Sequence, residues 1–393
     1  MRLRVLAITK IFPNAAEPLS APFNRQQFAA LRERCDLDVM ATIPWFPGAR
    51  LVARWSSAGK LAAVPRRETI AGIAVTHPRT MFVPRVAHAA WGPLYAASIA
   101  PALARYRDKV DVVLGSWAYP DGFAAVIAAR LLGVPAVVKL HGSDVHLNAR
   151  LPGARRMMTW ALPRAARVVA VSRPLADAVV ELGVPREQVA VVMNGVDVEL
   201  FHPRDRAAAR AELGLPIDGP LAVCVGNLKP EKGVLDLVDA WQHVPDAAAC
   251  LAIVGGGPLR AEVTARAAAS RNVRVIGPEP LARIPLWLAA ADVVALPSHS
   301  EGTPNVVLEA LASGRRVVAT AVGGVPDLIT TEALGALVPA REPVRLGDAL
   351  ARALRSPYDP AEVARLGARG TWAASAAALH DVLAAACAAK PPR

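Results

Sequence analysis

The sequence predicts an α/β protein built from two doubly wound parallel sheets, one in each half of the chain. Short apolar runs rich in β-branched residues alternate with alanine-rich helical patterns. That is the mark of parallel strands buried on both faces and joined by right-handed crossovers. The alternation restarts near residue 200, and 393 residues suit two domains better than one.

In the first half, Leu3–Ile8, Leu37–Thr42, Val110–Gly115, Ala136–Leu140, Val168–Val171 and Val189–Met193 read as buried strands. Arg25–Arg34 and Phe123–Leu132 read as amphipathic helices between them, the second stopped by Gly133 with Pro135 behind it. In the second half the strands are Leu221–Val225, Cys250–Val254, Val273–Ile276, Val293–Leu296 and Arg316–Thr320. The segment Phe201-His-Pro-Arg-Asp-Arg206 reads as a linker. The expected layout is a domain over 1–200, a second over 201–370, and a helix within 371–393 closing back over the junction. Such sheets bind ligands beyond the C-terminal ends of their strands.

Composition narrows the function. With 53% hydrophobic and 20% charged residues the chain is globular rather than disordered. Cys35, Cys224, Cys250 and Cys387 form no Cys-x-x-Cys pair, which argues against a zinc site or a disulfide framework and fits a reducing cytoplasm. The N-terminal apolar run is too short for a signal peptide, and no apolar window reaches membrane-spanning length. Of the net charge of +12, nearly all lies in residues 1–200, where 25 Lys and Arg face 14 Asp and Glu. A basic half attracts phosphates, nucleic acid or anionic lipid. No recognition helix, RNP-type strand or zinc module is legible, so a nucleic-acid partner is not expected.

The most informative stretch runs from Leu296 to Gly314. A strand ends at Leu296 and a helix is expected to start near Thr303, with Pro304 at its first position and Gly314 after its end. The amides from Gly302 to Val306 are then expected to form an anion site at a helix N-terminus. Glu301 and Glu309, separated by seven residues across the helix start, can grip two parts of one ligand. A capped surface helix with solvated glutamates is the plainer alternative. Gly226-Asn-Leu-Lys-Pro-Glu-Lys-Gly233 follows the first strand of this half. There Lys232 can stabilise the charge that builds on a departing diphosphate, although an ordinary loop with a surface lysine has the same appearance.

Together these residues resemble glycosyltransferase family 4. Its Glu-x7-Glu motif matches Glu301 and Glu309, and its Gly-Arg-x4-Lys-Gly motif matches Gly226–Gly233, with Asn227 in place of arginine. His141-Gly-Ser-Asp144, Asn194-Gly-Val-Asp197 with Phe201, Val254-Gly-Gly-Gly-Pro258 and Gly323-Gly-Val-Pro326 extend the resemblance over nearly the whole chain.

The resemblance implies the two-domain GT-B architecture and metal-independent, retaining hexosyl transfer from a UDP-, GDP- or ADP-sugar, with no cofactor. It implies that Glu309 binds ribose and that Lys232 contacts the diphosphate. Glu301, with Gly302, Thr303, Pro304, Asn305 and Val306, would hold the donor, and His141 would approach the transferred sugar. Asn227 offers only a neutral hydrogen bond, weaker than arginine's by about 1 kcal/mol or more, and Lys229 is the candidate replacement.

On the acceptor side the resemblance points to Ser20, Asn24, His141 and Asp144. The family's Gly-Gly is missing from the first loop, where Leu19-Ser-Ala-Pro-Phe-Asn-Arg25 stands instead, so stiffer backbone is expected there. Trp45, Phe46 and Trp55 interleave with Arg50, Arg54, Lys60, Arg66 and Arg67. That pattern suits a segment seated on anionic lipid, with Met81, Phe82, Val83 and Trp91 adding to it. A loop packing its tryptophans on the domain is the alternative. The expected partners are a nucleotide-sugar donor, a lipid-linked or polymeric glycan acceptor and an anionic membrane surface. Cell-surface polysaccharide synthesis and a cytoplasmic place, peripheral on the inner membrane face, follow from that.

Rival readings have discriminating features. A metal-dependent transferase needs an Asp-x-Asp at a strand end, whereas Asp36-Leu-Asp38 opens a strand. A dehydrogenase needs Gly-x-Gly-x-x-Gly after the first strand, which is absent. A nucleotide-sugar epimerase of the same architecture, or a catalytically silent nucleotide- or partner-binding protein, would keep the fold without the transfer.

Overall fold

The computed structural model describes residues 2–18, 20–46, 60–81, 88–270 and 272–389. The chain forms two compact units, Met1–Asn194 together with Trp372–Arg393, and Gly195–Thr371. The division falls upstream of the expected linker, so Phe201, almost fully buried, belongs to the second unit. No helix among the described residues is long and apolar enough to cross a membrane.

The first unit contains β1 (Arg4–Thr9), β2 (Asp36–Ala41), β3 (Ile43–Trp45), β4 (Arg67–Ile70), β5 (Ile73–Thr76), β6 (Arg79–Met81), β7 (Val112–Ser116), β8 (Ala136–Leu140), β9 (Arg167–Ala170) and β10 (Val189–Val191). Its main sheet has the order β10-β9-β8-β7-β1-β2-β5-β4. Every pairing is parallel except β4 with β5. β7 and β8 are buried at all five positions, mostly by apolar side chains, with Lys139 the buried charge within β8. Alternate residues of one strand feed opposite faces. Thus Leu6, Ile8 and Val113 join one core, and Val5, Ala7, Val112 and Leu114 join another.

The helix Pro22–Arg32 covers that second face, beginning three residues earlier than the sequence pattern suggested. Beside it packs the last helix, Trp372–Ala388, through Ala376, Leu379, Leu383 and Ala386, an apolar stripe at helical spacing. The chain end therefore returns to the first unit.

The second unit contains β11 (Leu221–Val225), β12 (Cys250–Val254), β13 (Val273–Gly277), β14 (Val293–Leu296), β15 (Val317–Thr320) and β16 (Gly335–Val338). They pair in the order β13-β12-β11-β14-β15-β16, all parallel. Crossovers run one way from β11 to β13 and the other way from β14 to β16. The strand order thus reverses between β11 and β14, and in the first unit between β1 and β7. Ligands of open α/β sheets bind at the C-terminal ends of such a strand pair.

At the opposite ends, both pairs are fastened by an aspartate just ahead of the outer strand. Asp111, before β7, accepts the Arg4 amide of β1 at 2.8 Å, and its own amide donates to the Arg4 carbonyl at 2.8 Å. The Arg4 guanidinium closes the pair at 2.6 Å. Asp292, before β14, accepts the Leu221 amide of β11 at 2.7 Å and returns its amide to the Leu221 carbonyl at 2.8 Å. Arg210, only 1% exposed, donates to Asp292 at 2.8 Å and to the carbonyls of Ala290, Ile217 and Gly219. Removing Asp292 strands that buried guanidinium and the Leu221 amide together. Asp292→Ala is expected to cost about 3–5 kcal/mol, and Asp111→Ala distinctly less because its partner is more exposed. Urea unfolding of both variants checks the order.

Candidate functional site

In the second unit two loops meet where the strand order reverses. One follows β11 and runs from Gly226 to Gly233, and the other follows β14 from Pro297 to Pro304. They touch backbone to backbone. Gly233 has φ +60°, and a Cβ there would lie 2.0 Å from the Pro297 carbonyl oxygen. Gly323, after β15, has φ +53° and would collide with the Glu301 carbonyl oxygen at 1.9 Å. Only glycine allows both the conformation and the approach. The His299 amide donates to the Glu231 carbonyl at 2.9 Å, and its ring meets Asp236 at 2.8 Å, further bracing the loops.

This packing brings Lys232 and Glu301 together at 2.7 Å. The Ser298 hydroxyl donates to the same Oε1 at 2.6 Å. Ser298 is itself fixed, because the Thr320 hydroxyl donates to its carbonyl. Both donors converge on Oε1, so Oε2 has no partner among the described residues. Glu301 is buried and Lys232 half-buried, which strengthens the pair over a surface one.

The helix behind the loop is Asn305–Ala312 with Pro304 as its N-cap, so it starts two residues later than expected. Pro304 has no N–H and cannot contribute an amide. Thr303 and Asn305 already have interactions within the chain. Gly302 and Val306 are the two whose amides have no acceptor among the described residues. Glu309 is half-buried, its carboxylate makes no hydrogen bond or ion pair among the described residues, and burial pushes it up to about 7. Asn227 and Lys229 are exposed.

In the first unit His141 follows β8, beside the end of β7. Asp144 holds this corner: its Oδ1 accepts the His141 and Gly142 amides at 3.0 and 2.7 Å, and its Oδ2 accepts the Ala118 amide at 2.7 Å. The carboxylate is buried and spent on backbone, so Asp144 shapes the corner and is not open to a ligand. Asn24 is likewise fully buried, its amide donating to the Ile11 carbonyl at 2.8 Å. Ser20 is half-buried with no side-chain hydrogen bond among the described residues. In the glycine-free loop, Ala21 takes the left-handed conformation (φ 43°) in a glycine's stead.

Several residues here escaped the sequence reading. Trp117 has φ 145°, an unusual conformation for a side-chain-bearing residue. Its ring stacks on His141 with centroids 5.8 Å apart, the Phe23 ring lies 4.9 Å from the same imidazole, and Lys10 sits 5.5 Å over Trp117. Lys139, fully buried on β8, donates to Gln27 and Asn194, and burial pushes its ammonium down to about 7. Asp121, buried after β7, accepts the Lys10 amide and the Tyr95 hydroxyl and is pushed up to about 7. Burial, with the Lys139 charge, lowers His141 well below its usual value. The only advance signal for Lys139 and Asp121 was a charged residue inside or just after an apolar run.

The aromatic and basic segment is only partly described: Arg50, Arg54, Trp55, Phe82 and Val83 lie outside the described residues. Trp45 and Met81 are exposed and face each other in the β3–β6 pairing. Lys60, Arg66 and Arg67 are exposed as well, whereas Trp91 packs against the core.

Residues 29–200 match the family described as Glycosyltransferase Family 4, and residues 219–356 match that described as Glycosyl transferases group 1. TuaC of Bacillus subtilis strain 168, named for teichuronic acid biosynthesis, is 30% identical over 331 residues, 83% of each chain. A D-inositol 3-phosphate glycosyltransferase of Frankia alni is 34% identical over 292 residues, covering 68% of this chain and 72% of its own. Among solved structures, Anabaena HepE, described in complex with UDP and glucose, superposes with a TM-score of 0.74 at 19% identity. That match covers 97% of this chain and 99% of HepE. Sucrose-phosphate synthase of Thermosynechococcus elongatus gives 0.72 at 21%, over 98% and 96%. The chain is a glycosyltransferase of family 4, with the GT-B architecture of two Rossmann-like units.

Proposed function

We propose that the second unit binds a UDP-sugar and that the enzyme transfers the hexose, with retention and without a metal, to a glycan acceptor of a cell-surface polysaccharide. The observation that carries this is the arrangement beyond β11 and β14: a cation, a paired carboxylate with one oxygen open, and a second, unpartnered carboxylate on the following helix. Glu309 accepts the ribose hydroxyls, Lys232 meets the diphosphate, and the open oxygen of Glu301 with the Gly302 and Val306 amides takes the donor beyond it. Lys232 then stabilises the charge left on the departing nucleoside diphosphate. In the first unit we assign His141, packed against Trp117 and Phe23, to the acceptor side. The bound UDP of HepE and the polysaccharide named for TuaC favour UDP and a polymeric or lipid-linked acceptor. The exposed Trp45–Met81 pair and nearby cations suit docking of the first unit on anionic lipid, from the cytoplasmic face of the membrane.

Three measurements test this reading. Calorimetry with UDP, GDP and ADP in EDTA should show micromolar binding of UDP, weakened by about 2 kcal/mol in Glu309→Ala. Ribose hydroxyls favour the ionised Glu309, so binding should release a proton and weaken as pH falls through about 7; Glu309→Gln should remove that slope. No nucleotide binding would overturn the donor site. Asn227→Arg should tighten UDP binding by about 1 kcal/mol, and an unchanged affinity would mean that residue 227 does not face the diphosphate. Sedimentation with vesicles should show retention on anionic but not neutral lipid, reversed by high salt; equal recovery from both would remove the membrane.

A further inference from the structure

His141 meets Ser116 Oγ through Nε2 at 3.0 Å. The roles in that hydrogen bond are settled one link further on. Ser116 Oγ also lies 3.1 Å from Asn24 Oδ1. Asn24 cannot be turned over, because its Nδ2 donates at 2.8 Å to the Ile11 carbonyl, which can only accept. Oδ1 therefore faces Ser116, and Ser116 must give it the one hydroxyl proton it has. Ser116 can then only accept from His141, and the ring proton lies on Nε2.

The surrounding groups hold this arrangement in place. Ser116 and Asn24 are both fully buried, so water does not compete for the chain. The Thr9 hydroxyl donates to the Ser116 carbonyl at 2.9 Å, fixing that strand end against β1. Phe23 and Trp117 both pack against the imidazole. Burial of the ring, and after it the charge of Lys139 two residues upstream, disfavours a second proton on the imidazole. Nδ1 has no hydrogen-bond partner among the described residues.

We propose that Asn24 and Ser116 are positioning residues that lock His141 as the neutral Nε2–H tautomer, so that Nδ1 offers a lone pair to a hydroxyl of the sugar substrate. The second half of that statement rests on the transfer reaction proposed above; the first half is a property of the free protein. A ring held this way accepts a hydroxyl proton without first losing one of its own. A tautomer swap would present N–H to the same hydroxyl and repel its proton.

The test is a two-bond 1H–15N correlation spectrum of the full chain labelled with [15N]histidine, with the His141 signals assigned by His141→Gln. At neutral pH, wild-type His141 is expected to give the pure Nε2–H pattern. Ser116→Ala should give a mixture of tautomers and Ser116→Thr should restore the single form, while UDP binding stays unchanged in both. An Nδ1–H or imidazolium pattern in the wild type overturns the proposal without any variant. A pure Nε2–H pattern retained in a folded Ser116→Ala overturns it too. Absence of nucleotide binding in the wild type would instead strike the donor reading and leave the tautomer result standing.

Discussion

Parallel register at the reversal of strand order is the constraint on which the molecule depends. A parallel pair is not joined by a hairpin, so no turn sets its register. Here the aspartates before β7 and β14 do so, each exchanging backbone hydrogen bonds with the first residue of the central strand. A slip of one residue would break the carboxylate pairing and turn every side chain of the strand to the other face. Because the strands are only four to six residues long, what is fixed at one end is delivered at the other. Glu301 and Lys232 meet because β11 and β14 are in register.

The two sites use that delivery differently. In the second unit the loops touch through backbone, with glycine required at 233 and 323, and the side chains left over face outward as charge. In the first unit the corner is closed by Asp144 and filled by a buried polar chain, and the ring of His141 is what remains. The second unit thus keeps a charged pair and the first an imidazole packed on aromatic rings, which suits the donor and acceptor roles proposed above.

Much of this was legible in the sequence, for a physical reason. Strands buried on both faces are apolar at nearly every position, so β7, β8, β11, β12 and β14 stood out as runs. The ribbons β3 with β6 and β4 with β5, and the edge strand β16, are short and partly exposed, so they did not stand out. Glu301, Lys232, Glu309 and His141 were found because each sits in a motif at a strand end. Asn24 was found as well, although its buried amide serves the fold rather than facing an acceptor. Ser116, Trp117, Asp121 and Lys139 were missed because their importance lies in contacts between distant segments, such as Lys139 with Gln27 and Asn194. Spacing along one chain does not carry that information.

The pre-formed pair of Lys232 and Glu301 bears on how the enzyme lets go. Before substrate arrives, the cation is already neutralised by a buried carboxylate, so a bare phosphate gains little by entering. In the proposed reaction a nucleotide-sugar would give each partner something in exchange: charge for the lysine, hydroxyl donors for the glutamate. Departure of the hexose would then leave Glu301 free to turn back to the lysine and compete with the spent diphosphate for the same ammonium. On that proposal the resting ion pair would itself help to discharge the product.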